Sequence, residues 1–364
     1  MVWPSSGVKC RVTSRPLTQQ VRKSPLTKKH YGAGMGEALK LDPPIDSAKA
    51  LGDRLADAFR GEEILLPAHI DAVLALHSQL GDQRPATCGA YALSYLLPAR
   101  GFLEHEGRSL LAEDFMAHLA AVTIEADEVA PSEEVAARVA CGELTDDEAL
   151  RLHPRSWYRF PISASADPVE VGTSAAGVAR AVALATAGRL ATVPIPGRTA
   201  GGGVQLDGPA WDAFLDALTG DFVAGELDVL FNFETDQLLG ARDPAYNAGN
   251  LRRPEAASVI PRDSWGVGHF APLAGLWRRP SGDRWLLLLN SFKERAFSGC
   301  EPQPAELMRR AVVREDGRGG GVLLIVPGER AEWWVDRVLA AGLEVRTWSN
   351  GSRSPADWRW SRGS

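Results

Sequence analysis

Gly266-Val-Gly-His269-Phe-Ala-Pro-Leu-Ala-Gly-Leu-Trp277-Arg-Arg-Pro-Ser-Gly-Asp-Arg284-Trp-Leu-Leu-Leu-Leu289-Asn290-Ser-Phe292 is the stretch on which the reading of this chain turns. Its two apolar runs, 266–277 and 284–289, are short enough for strands and are separated by a segment with Pro, Gly and Asp, the residues that reverse a chain. The pattern predicts a β-hairpin. A hairpin brings its open ends together, so His269 at the start of one strand and Asn290 at the end of the other would lie side by side. Pro272 has no N–H to give to a ladder and must face an edge or a bulge.

Upstream of the hairpin the chain reads mostly as helix. Apolar residues at three- and four-residue spacing, such as Leu51 and Leu55, predict helices over 46–59 and 68–79. A turn-rich loop, Gly81-Asp-Gln83-Arg-Pro-Ala-Thr87, leads into Cys88-Gly89-Ala-Tyr-Ala-Leu93-Ser-Tyr-Leu-Leu97, a run too apolar for a surface helix. Helices are expected over 109–122, 132–141 and 145–152, the last two with acidic first turns behind Ser132 and Thr145. An Ala-rich helix over 173–188, a strand over 190–195, a glycine-rich loop at 199–203, a helix over 209–218 and a strand over 227–233 follow. Residues 240–264 read as loop. After the hairpin come a helix over 304–313, a strand over 321–326, a helix over 329–341 and a strand over 343–348. No internal repeat is visible. Helices first and most strands late predict an α+β arrangement.

Three windows line up chemically: Gln83 to Gly89 at the head of an apolar helix, Gly268-His269-Phe270 at the start of a strand, and Asn290 at the end of its partner. A thiolate is the reactive form of cysteine, and a helix N-terminus favours it by placing partial positive charge beside the sulfur. A histidine opposite the thiol can take its proton and later protonate a leaving group. The imidazole needs a third group to hold it, which an amide on the neighbouring strand could supply. Donors aimed at the developing oxyanion complete the requirement, with Gln83 and the Cys88 N–H as candidates. Taken singly, each residue has an ordinary role: a buried cysteine as a small core residue, a histidine at a strand end, an asparagine as a turn former.

These windows resemble the papain-like cysteine peptidase superfamily. Leu-Leu-Leu-Leu289-Asn290-Ser-Phe292 is similar to the Asn-Ser-Trp segment of papain, and Cys88-Gly89-Ala-Tyr-Ala-Leu93 is similar to the bacterial double-glycine leader peptidases. The order Gln, Cys, His, Asn matches both. The resemblance implies Cys88 as nucleophile, His269 as acid/base, Asn290 as the residue orienting it and Gln83 as oxyanion donor. It also implies a papain-like fold, in which a helical N-terminal part carrying the Cys helix packs on a late antiparallel sheet. Gln83 precedes Cys88 by five residues where the family usually has six. Most of the residues between Cys88 and His269 have no counterpart in the family and read as a large, mainly helical insertion at about 105–260.

The expected activity is hydrolysis of a peptide or amide bond through a thioester. The same residues could instead pass the acyl group to an amine, as in a transglutaminase or acyltransferase, or survive in a non-catalytic peptide-binding cleft. A net charge of −6 gives no basic footprint for nucleic acid. No apolar run is long enough to cross a bilayer. Four scattered cysteines, Cys10, Cys88, Cys141 and Cys300, form neither a disulfide framework nor a zinc motif, so no metal or cofactor is expected and the protein reads as cytoplasmic. His69, His77, His105, His118 and His153 show no metal-ligand spacing. Oligomeric state is not legible.

Three segments are anticipated. Residues 1–40 are rich in lysine and carry no acidic residue before Glu37, which predicts a disordered extension or a start at Met35. Residues 41–350 form the catalytic domain, and 351–364 a flexible tail.

Overall fold

A computed structural model describes residues 44–361, apart from 57–58, 60–61, 153–156, 240–265, 280, 294–295 and 315–317. The expectations for the extension at 1–40 and for the loop at 240–264 therefore lie outside the described residues.

Helices α1 (Ala48–Leu55), α2 (Ile70–Gln79) and α3 (Cys88–Ala99) open the chain. A small hairpin follows, β1 (Glu104–His105) and β2 (Arg108–Ser109), then α4 (Glu113–Leu119), β3 (Thr123–Glu125), α5 (Ala126–Ala140), α6 (Asp146–Leu152), β4 (Ser163–Ser165) and α7 (Ala175–Ala185). The remainder is β5 (Leu190–Pro196), α8 (Gly208–Val223), β6 (Asp228–Glu234), β7 (Gly268–Arg278), β8 (Arg284–Leu289), β9 (Cys300–Pro304), α9 (Ala305–Val313), β10 (Gly321–Pro327) and α10 (Ala331–Ala340). The N-terminal signature at Thr145 is realised as a reciprocal cap: the Thr145 N–H donates to Glu148 at 2.8 Å, and the Glu148 N–H to the Thr145 hydroxyl at 3.2 Å.

The fold is α+β. A six-stranded sheet in the order β5-β10-β6-β7-β8-β9 is antiparallel at every pairing. Its inner strands are apolar on both sides because both faces are covered. Trp285, Leu287 and Leu289 join a core with Leu51, Leu74, Leu93 and Val182, from the layer of α1, α2, α3 and α7. Leu286 and Leu288 join an opposite core with Phe214, Met308 and Trp334, from α8, α9 and α10. The four consecutive leucines thus serve two cores alternately, as a strand's two-residue period requires.

The hairpin forms where the sequence places it, with Trp277 opposite Trp285 and Arg278 opposite Arg284. The register slips between Leu273 and Gly275, next to Pro272, which itself sits opposite Leu230 of β6. The segment expected as a mainly helical insertion is corrected. It supplies β5 and β6, two strands of the main sheet, so the sheet is assembled from both halves of the chain. Residues 343–348 are not a strand; they run as irregular chain, with Leu343 and Trp348 buried. The α4 helix is shorter than expected, α5 begins before Ser132, and β9 is an unexpected strand. Part of the expected tail is anchored: Trp360 donates its indole N–H to the Thr192 carbonyl at 2.8 Å, and Asp357 pairs with Arg180 at 2.9 Å. No helix among the described residues is long and apolar enough to cross a membrane.

Candidate functional site

Helix α3 is buried along nearly its whole length, from Cys88 to Pro98. Burial forces its head into a fixed seat. A Cβ on Gly89 would stand 2.8 Å from methyl groups of both Thr173 and Val178, so only glycine lets the first turn of α3 press against the start of α7. The preceding loop is tied down residue by residue. Tyr91 donates its hydroxyl to the Gly81 carbonyl at 2.7 Å, and the Arg84 N–H donates to Glu113 at 2.7 Å. Thr173 donates its hydroxyl to the Ala86 carbonyl at 3.1 Å, and the Thr87 hydroxyl donates to the Arg84 carbonyl at 2.7 Å and also approaches Glu113. Ala86 is held at φ 64°, a left-handed conformation that costs an alanine about 1–2 kcal/mol. Strain of this kind two residues ahead of a cysteine is the sort that clusters at functional sites.

Cys88 is buried, with 7% of the residue exposed. Burial pushes its pKa up, to about 11, while the backbone N–H groups of Phe270, Gly89 and Cys88 itself work the other way. The Phe270 contact matters because Phe270 follows His269 in β7. His269 is also buried, with its ring edge-on to Phe233 at 5.6 Å and stacked on Phe292 at 5.7 Å. Its backbone carbonyl accepts from the Asn232 carboxamide at 3.1 Å, and Asn232 in turn accepts from the Trp348 indole at 2.9 Å. Gln83, Cys88, His269 and Phe270 line one pocket of about 690 Å³, whose other walls include Glu125, Thr173, Phe292 and Asn350.

Three of the four residues singled out in the sequence thus share a cleft, and Asn290 does not line it. The Asn290 carboxamide donates to Glu301 at 2.8 Å and accepts from the Phe292 N–H at 3.1 Å. The β7–β8 ladder ends at the Leu273–Leu288 pair, and Asn290 lies just past the end of β8, where the chain turns. The residue that reaches the imidazole is the next one, Ser291. Its hydroxyl oxygen lies 3.4 Å from His269 Nε2 and donates to Gln83 Oε1 at 2.6 Å.

Sequence reasoning missed Ser291, although it stands within the Asn-Ser-Phe motif itself. Glu113, Thr173 and Asn350 carried no sequence signal, because nothing local marks a residue that meets the site only through tertiary packing. The Glu113 carboxylate is raised to about 6, burial outweighing its contacts with Thr87 and Arg84. Among the described residues no cluster of His, Cys, Asp and Glu could hold a metal ion.

No curated protein matches the chain. One family model matches residues 67–349, a span that takes in the Cys88 helix, the whole sheet and every residue of the pocket named above except Asn350. The chain belongs to the family of unknown function DUF6885.

Proposed function

We propose that the protein is a cysteine-nucleophile hydrolase acting on a peptide or amide bond. The observation that carries this reading is that Gln83, Cys88 and His269, which are far apart in the chain, line the same pocket. At a pKa of about 11 the isolated thiol would be ionised in about one molecule in ten thousand at neutral pH, so a base is needed. In the proposed reaction His269 takes the thiol proton as Sγ bonds to the substrate carbonyl carbon. The carbonyl electron pair moves to oxygen, where Gln83 Nε2 donates to it. Collapse of the adduct breaks the C–N bond, and His269 gives its proton to the departing amine. A water, deprotonated by His269, then attacks the thioester. The acyl group leaves as the acid and the proton returns to the thiol.

The papain-like resemblance supports this reading through the order of Gln83, Cys88 and His269, and the departure at Asn290 separates this chain from it. A second reading is favoured by the deep burial of Cys88: a cleft that binds peptide without cutting it. Competitive alkylation distinguishes the two. With limiting iodoacetamide at neutral pH, a hydrolase's Cys88 is modified ahead of the exposed Cys141, despite its burial. If Cys141 reacts first and Cys88 is as inert as the buried Cys300, the nucleophile assignment fails.

A further inference from the structure

We infer that Asn350 is a substrate-binding residue of this pocket: its carboxamide oxygen accepts from the N–H of the residue that supplies the scissile carbonyl, so the site takes N-acylated amino acids and peptides and rejects those with proline at that position. The inference rests on the hydrolase reading and names the substrate class that goes with it.

Asn350 is 8% exposed and lines the pocket together with Cys88 and His269. Its carboxamide has one favourable orientation. The Thr173 carbonyl, 3.0 Å away, can only accept, so the NH2 group faces it and Oδ1 is left for another partner. That oxygen is buried, and no group among the described residues donates to it. A buried acceptor without a donor costs about 1–3 kcal/mol, and a ligand that brings the missing N–H removes the cost.

The oxygen is held in place before a ligand arrives. Residues 350–353 lie along residues 169–173. The Ser352 hydroxyl donates to the Val171 carbonyl at 3.1 Å, and the Arg353 N–H to the Glu170 carbonyl at 3.0 Å. A Cβ on Gly172, whose φ is 124°, would stand 2.5 Å from Ser352 Oγ, so only glycine lets the two segments press together there. Thr173 joins this wall to the nucleophile. Its hydroxyl donates to the Ala86 carbonyl at 3.1 Å, and its methyl group packs on Gly89. Thr173 alone thus bridges the Asn350 carboxamide and the chain on either side of Cys88. An acceptor fixed in this way binds a donor without first having to be ordered.

The chemistry selects the donor. The scissile nitrogen takes a proton from His269 as the C–N bond breaks, so it belongs beside the imidazole. The nearest other N–H of a peptide lies on the residue that provides the carbonyl, and every residue except proline carries it.

Two esters with the same leaving group test this. In p-nitrophenyl N-acetylglycinate that N–H is present; in p-nitrophenyl N-acetylsarcosinate a methyl group replaces it. For the wild type, kcat/KM corrected for spontaneous hydrolysis is expected to be about tenfold or more higher for the glycinate. Asn350→Ala should bring the two esters within about twofold of each other; Asn350→Leu, of nearly the same shape as the native side chain, serves if the alanine variant fails to fold. A merely structural role for Asn350 would slow both esters alike and keep their ratio. Equal rates in the wild type, or a ratio that persists in a folded Asn350 variant, would overturn the assignment of Asn350, while turnover that still depends on Cys88 would leave the hydrolase reading standing. If Cys88→Ala turns over both esters as fast as the wild type, the hydrolase reading falls and this inference with it.

Discussion

Two buried thiols, in the same hydrophobic core, sit in contrasting surroundings. Cys88 heads a helix, touches three backbone N–H groups and borders an open pocket. Cys300 heads β9 behind the Gly299 turn, with no exposed surface, and burial pushes its thiol up to about 12 against only the charge of Lys293. A Cβ on Gly299 would lie 2.7 Å from the Asn290 carbonyl and 3.2 Å from the His77 ring, which shows how tightly that corner is closed. Burial raises both thiols. What separates them is that Cys88 lines a pocket that His269 also lines, whereas Cys300 is closed in by its neighbours.

The largest effect expected is on activity. Cys88→Ala should abolish amide or activated-ester hydrolysis, a loss of about 1000-fold or more, without changing the thermal transition by more than a few degrees. Cys300→Ala should leave turnover within about threefold and act on stability instead, measured by urea unfolding.

Around Cys300 the strongest pH effect should come from His77. Burial and the nearby Lys293 lower its pKa to about 3, so it stays neutral in the folded protein and protonates on unfolding. That contribution is fully present above about pH 6.5 and is lost as pH falls toward 3. His77→Gln should flatten the acid limb of the stability curve, at some cost to stability at neutral pH. An unchanged acid limb would show that other groups drive acid unfolding.

Around Cys88 the expected effects on stability are smaller. Gly89→Ala forces a methyl group against Thr173 and Val178 and should cost about 1–3 kcal/mol, read from urea midpoints. Glu113 carries the opposite pH sign to His77. Its pKa rises on folding from 4.5 to about 6, so the folded state gains from its protonated form, and stability falls as pH rises through that window. The slope amounts to about 2 kcal/mol and should disappear in Glu113→Gln, which keeps an acceptor for the Arg84 N–H. Smallest of all, Ala86→Gly relieves a left-handed alanine but frees the unfolded chain, and should change stability by less than about 1 kcal/mol.

The hairpin was legible because its signal is local: two apolar runs, a turn between them, and side chains alternating between two cores. The same local logic located α3 and placed Cys88 at its head. It failed where register decides. The difference between Asn290 and Ser291 at the imidazole is a displacement of one residue just past the end of a ladder that contains a bulge, and no pattern in residues 284–292 encodes it. It failed again for 105–260, where helices dominate the composition but β5 and β6 enter the main sheet. Strand order there depends on tertiary pairing with β10, which lies about a hundred residues downstream of β6. Residues 343–348 show the converse error. Leu343 and Trp348 are buried there, and the segment meets β5 through one backbone bond, from Arg346 to Pro194 at 3.0 Å, rather than a ladder.

Acyl transfer to the thiol is the central claim, and trapping it is the most direct measurement. Brief treatment with p-nitrophenyl acetate at neutral pH should release nitrophenolate in a burst of one equivalent per chain, with the acetyl group mapped by mass spectrometry to Cys88 and removed by hydroxylamine. The burst should vanish in Cys88→Ala and slow sharply in His269→Ala. Acetylation confined to Cys141 or to lysines, or a burst that persists without Cys88, would contradict the account.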